Sequence, residues 1–123
     1  MKIEVSTGEI VDKLSILQIK KLNILEEDKL INVKKEFDYL YDIVFNQLKI
    51  ENFDYNDLVT INQKLWDIED DIRDKERNSQ FDNEFIELAR SVYITNDERA
   101  NKKKEINFKY GSEFVEEKSY KKY

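Results

Sequence analysis

Residues 82–111 read DNEFIELARSVYITNDERANKKKEINFKYG. The stretch has no proline, and its only glycine is its last residue. Asp82 is a good N-cap, because its carboxylate can accept the free backbone N–H groups of a first helical turn. Gly111 suits the left-handed cap that ends a helix. At about 100° per residue the inward stripe is Phe85, Leu88, Ala89 and Val92, then Asn96, Arg99, Lys103, Ile106 and Asn107. A long helix is expected here. Its first half is ordinary core, and its second half puts polar residues on the axis where Leu or Ile belongs.

Working outward, residues 54–77 carry Leu58, Ile61, Leu65, Ile68 and Ile72 at steps of three and four, with Asp54 as the expected cap. A break over Arg77-Asn78-Ser79-Gln80 separates this helix from the last. Leu30, Val33, Phe37, Leu40, Val44 and Leu48 mark another helix, capped by Asp28 and ending near Asn52. Ser6-Thr7-Gly8-Glu9 is a capping-box pattern, so a first helix runs from there to about Leu25. Ile10, Leu14, Leu17, Ile24 and Leu25 lie on one side of it, while Ile16 and Ile19 lie on the other. A helix apolar on two sides is buried on two sides. It is central in the bundle, or its second face meets a further copy in a homo-oligomer. The expected fold is all-α: a compact antiparallel bundle of about four helices in one domain over residues 1–123. A short extended arm (residues 2–5) precedes it, and a polar tail (112–123) follows.

Composition removes whole classes of chemistry. The 123 residues include no Cys and no His, and only two glycines. Thiolate or imidazole metal sites, cysteine nucleophiles and histidine bases are out. So are glycine-rich phosphate loops. No metal and no cofactor is implied. Net charge is −6, which argues against nucleic acid as the partner. The charge is uneven: residues 67–87 hold nine acids and three bases, whereas residues 99–123 hold eight bases and four acids. No run reaches the roughly 18 apolar residues of a membrane span, and the N-terminus lacks an apolar signal core, so the expected location is cytoplasmic.

Buried cations need partners. Lys21 and Gln18 interrupt the apolar face of the first helix, and Asn62, Glu69 and Arg73 flank the third stripe beside Trp66. Besides a helix half that simply projects past the bundle and is solvated, two readings follow. In one, Glu69 or Glu76 pairs with Arg99 or Lys103, the tail acids Glu116 and Glu117 fold back, and the network is structural. In the other, Lys21, Arg73, Asn96, Arg99, Lys103 and Asn107 line a pocket for a small anion bearing phosphate or carboxylate groups. Of the run Lys102-Lys103-Lys104, only Lys103 lies on the inward axis. Asp67, Asp70, Asp71 and Asp74 have metal-like spacing but read as a solvated acidic face. Glu84 and Glu87 resemble half of the E-x-x-E motif of all-helical nucleotide pyrophosphohydrolases, yet they point outward and no E-x-x-D follows.

Residues Ser6–Leu17, Leu65–Asp70, Phe85–Tyr93, Asn96–Arg99, Gly111-Ser112 and Val115–Tyr120 together resemble a family of small uncharacterised bacterial and phage proteins, a domain of unknown function. The resemblance covers nearly the whole chain. It implies a supporting role near glycosyltransferases of surface-polysaccharide synthesis, with a ligand related to nucleotide-sugars or a protein partner. A looser likeness to helical chorismate mutases has Lys21, Arg99 and Lys103 holding an anionic metabolite by electrostatic positioning. A third alternative is a pure interaction module, working through the back of the first helix and the aromatic tail.

Overall fold

Ser6 opens the first helix as its capping box requires: its hydroxyl accepts from the Glu9 backbone N–H at 3.2 Å. In the computed structural model, which describes residues 1–123, helix α1 spans Thr7–Asn23 and α2 spans Glu27–Tyr41. Helix α3 spans Asn52–Arg77, α4 spans Asn83–Lys109, and there are no strands. Asp82 caps α4 by accepting from the Phe85 backbone N–H. Gly111 takes φ +64° at the other end.

The two interior caps differ from expectation. The N-cap residue of α2 is Glu26, ahead of Asp28, and that of α3 is Glu51, ahead of Asp54, neither with a side-chain cap bond. Asp54 sits in the first turn of α3 and is buried, because cations of α4 claim its carboxylate. Helix α2 runs straight into a π-helical turn over Asp42–Gln47. The Asp42 carboxylate accepts from both Asn46 (2.8 Å) and Gln47 (3.0 Å) there. Those bonds hold its pKa below the usual carboxylate value. The wider turn brings Val44 and Phe45 to the core, and Phe45 meets Tyr55 edge to face.

Helix α1 is the central one, in contact with α2, α3 and α4. It runs antiparallel to α4, with Gly8 at Asn107 and Asp12 at Arg99. The core cluster is Val11, Leu14, Leu17, Leu40, Val44, Ile50, Tyr55, Leu58 and Ile106. Ile19 is buried within this chain and Ile16 is half-buried. The core occupies one end of the bundle only. With 26 and 27 residues, α3 and α4 are about 40 Å long, against about 26 Å for the 17 residues of α1. Their distal parts therefore form a two-helix hairpin, in which Phe85, Leu88, Ala89 and Val92 are only half-buried.

Gly8 is where α1 touches α4. Its N–H donates to Asn107 Oδ1 at 2.6 Å, and a Cβ there would lie 2.5 Å from the Lys103 backbone carbonyl oxygen. A backbone atom cannot swing aside, so the helices must part. Gly8→Ala is expected to lower stability by about 1–3 kcal/mol despite the better helix propensity of alanine. Urea unfolding measures this as a lower midpoint at an unchanged slope.

Candidate functional site

The polar half of α4 faces two helices at once. On the α1 side, the buried Asp12 carboxylate accepts from Arg99 Nε at 2.9 Å, from Arg99 Nη2, and from Asn62 Nδ2 at 2.8 Å. Ser15 Oγ accepts from Asn62 as well and donates to the Asp12 carbonyl. The hydrogen bonds to Asp12 raise the Arg99 pKa further, against the cost of burial. Farther along, Lys103 Nζ bonds Glu9 and Glu116, both at 2.8 Å. With Lys103 and then Lys118 as donors, the Glu116 pKa is pulled down to about 2.

On the α3 side, Lys102 Nζ meets Asp54 and Asp57, each at 2.9 Å. Asp54 also accepts from Lys109 (2.9 Å) and the Tyr110 hydroxyl (2.7 Å). Burial by itself would raise the Asp54 pKa, but these three donors outweigh it and the net shift is downward. Lys102 is thus as buried as Lys103, contrary to the single inward axis expected from sequence. The reason is that α4 is flanked by α3 and α1 in directions about a residue apart on the helix wheel.

The expected partners of Arg99 and Lys103, Glu69 and Glu76, take other places. Glu69 bonds Arg73 one turn away on α3, and Glu76 is exposed. Asp12 was not among the expected partners. It is four and seven residues before Ile16 and Ile19, on the second face of α1, and a carboxylate in that otherwise apolar stripe was the signal for it.

Between α1, α3 and α4 lies a cleft of about 500 Å³. Ile16, Ile19, Leu65 and Trp66 supply its apolar surface, and Arg73, Asn96 and Arg99 line it together with Asn62, Glu69 and Asp70. A smaller recess of about 290 Å³ lies under the tail, where Asn96 and Arg99 are joined by Lys103, Glu116, Lys118 and Tyr120. Of the six residues expected to share one pocket, Arg73, Asn96 and Arg99 do so, and Lys103 lines the neighbouring recess. Lys21 and Asn107 stand apart. Lys21 Nζ lies 4.0 Å from the centre of the Phe37 ring, and Asn107 is buried at the Gly8 contact with its Nδ2 unpartnered. The triad of Lys21, Arg99 and Lys103 required by a mutase-like site is therefore not assembled. On the back of α1, Ile19 is buried within this chain, while Ile16 is half-buried and borders the cleft.

No three acidic side chains converge as a metal-ligand set. Glu84 pairs with Lys75, and Glu87 with Arg90. No helix is long and apolar enough to cross a membrane.

Over residues 1–123 the chain matches a family of unknown function, DUF6165, and it belongs to that family. No curated protein matches it, and no solved structure does.

Proposed function

We propose that the protein is a non-catalytic binding module whose ligand is a segment of another protein, held in the groove between α3 and α4. The supporting observation is that these two helices outrun α1. The direction on α4 that faces α1 at Lys103 and Asn107 continues distally as Ala89 and Phe85, toward the part of α4 that outruns the shorter α1, while Val92 borders a cavity under the C-terminal tail. A two-helix layer with its apolar side open gains by accepting a third helix, as in helix-in-groove recognition. The charge accounting points the same way. Arg99, Lys103, Lys102 and Arg73 are each already matched by a carboxylate of the chain.

A second reading, a small anion bearing phosphate or carboxylate, draws on one specific feature. Arg73 is held only by an exposed pair with Glu69 one turn away, a bond worth about 0.3–0.5 kcal/mol. A ligand anion can displace that carboxylate while its body rests on Trp66. A phosphate-bearing ligand also agrees with the envelope-glycan setting that the sequence resemblance implies.

One experiment separates the two. Random peptides displayed on phage are selected on the full chain and counter-screened on Ala89→Arg, which fills the groove. The interaction reading expects binders with apolar residues at i, i+3/i+4 and i+7 that lose binding to Ala89→Arg. A selection with no groove-dependent binder defeats it. If phosphate or carboxylate compounds then raise the melting temperature of the wild type but not of Arg73→Gln, the function passes to the small anion.

A further inference from the structure

Resting on the interaction reading above, we infer that the partner segment is a basic amphipathic helix, which docks beyond the end of α1 as a third helix of the distal α3–α4 hairpin. The two walls of the groove differ in chemistry. The α4 wall is apolar: Phe85 and Ala89 are half-buried, as is Val92 at its inner end, where the C-terminal tail runs past, and Phe81, 59% exposed, stacks edge to face on Phe85. The α3 wall is acidic. On the helix wheel, Glu69 and Glu76 share the direction that Asn62 presents to α1, with Asp70 at its rim and one base among them, Arg73, which is paired with Glu69.

The surrounding field has one sign. Residues 67–87 carry nine acids and three bases, a net of −6, equal to the charge of the whole chain. Their bases are largely spent locally: Lys75 on Asp82 and Glu84, Arg73 on Glu69, and Arg77 on Asp74. Asp70, Asp71 and Glu76 have no cationic partner within the chain. A second copy laid symmetrically on this surface would face −6 with −6, so the isologous dimer is disfavoured. A helix with an apolar stripe and flanking Lys or Arg satisfies both walls. Its stripe covers Phe81, Phe85 and Ala89, and its cations reach Asp70 and Glu76 and compete with Arg73 for Glu69. Acidic surroundings also speed the approach of such a partner, in a way that salt weakens.

The test uses two synthetic peptides of equal length with the same leucine stripe, one with lysine and one with glutamate at the flanking positions. Fluorescence anisotropy reads their binding to the full chain. The lysine peptide is expected to bind at least about tenfold more tightly than its glutamate twin. Ala89→Arg and, separately, the exposed double change Glu69→Lys/Glu76→Lys are expected to weaken it about tenfold or more. A control of equal charge change near the far end of α2, Glu36→Lys/Asp38→Lys, is expected to leave it within about twofold. The double change keeps the test open if Ala89→Arg fails to fold. Equal binding of both peptides, lost in Ala89→Arg, overturns the basic partner and leaves the interaction reading standing. Binding that ignores every groove substitution, or no binding of either peptide, overturns both. A dimer in sedimentation that Ala89→Arg dissolves would assign the groove to a second copy and overturn this inference.

Discussion

Arg99→Met is expected to lower the unfolding free energy by about 3–5 kcal/mol. The loss does not come from the methionine, whose volume suits the site. It comes from Asp12, which is 1% exposed and would keep only the Asn62 amide as a side-chain donor. An unpaired carboxylate in that position costs several kcal/mol in lost solvation. Asp12→Leu in the same chain is expected to restore most of the stability, because apolar side chains of similar volume replace a buried ion pair at little net cost. The expected signature is a coupling energy of about 2–3 kcal/mol in a double-mutant cycle measured by urea unfolding. Additive single changes would show that Arg99 and Asp12 do not depend on each other, against the paired geometry. The same experiment bears on the small-anion reading. A large, rescuable loss identifies Arg99 as a structural ion-pair member, and anion binding would then rest on Arg73 and Asn96.

Asp54→Ala is expected to cost about 2–4 kcal/mol, less than the full penalty for breaking a buried pair. Lys102 loses its closest buried partner but keeps Asp57 at 2.9 Å, while Lys109 keeps Glu51 at 3.3 Å. The Tyr110 hydroxyl still accepts from the Glu51 backbone N–H. The pH dependence follows from the sign of the shift. The folded-state pKa of Asp54 is below that of the unfolded chain, so unfolding takes up a proton. Its contribution is complete above the ordinary carboxylate range, near pH 3.9, and is lost as pH falls through the depressed value. Glu116 acts in the same direction between about 4.3 and its pKa of about 2, by a smaller amount because it is partly exposed. Lys102 has the opposite sign. Its pKa is raised, so its contribution is present at neutral pH and fades only in strong alkali. Urea midpoints measured from pH 6 to pH 2.5 are expected to fall steeply in the wild type and less steeply in Asp54→Asn. A parallel fall in both would show that Asp54 is not a main source of the acid sensitivity.

The caps and the stripes explain why so much of the bundle was legible. Ser6, Asp82 and Gly111 each act within four residues, and the breaks near residues 26, 51 and 78–82 follow from stretches where apolar periodicity fails. Such signals are local, and a single sequence contains them whole. Asp28 and Asp54 failed as caps for a reason outside that range. The choice of starting residue was open by one turn, and for Asp54 the cations of α4, 48 and 55 positions away, decided it.

The polar stretch of α4 was legible as an anomaly, but its meaning was not. A helical wheel places Arg99, Lys102 and Lys103 about an axis. It does not say which neighbour stands in each direction, and α4 has α3 on one side and α1 on the other. The sequence by itself determined the four helices, most of their ends, the uneven charge and the absence of cysteine, histidine and glycine-loop chemistry. These follow from composition and from interactions spanning a few residues. Only the tertiary structure decided that Asp12 is the partner of Arg99 and that Gly8 must stay bare for Lys103. It alone also showed that α3 and α4 outrun α1 and that Phe85 and Ala89 stay half-buried. Each of these depends on contacts between segments far apart in the chain, whose relative placement is set by packing of the whole bundle.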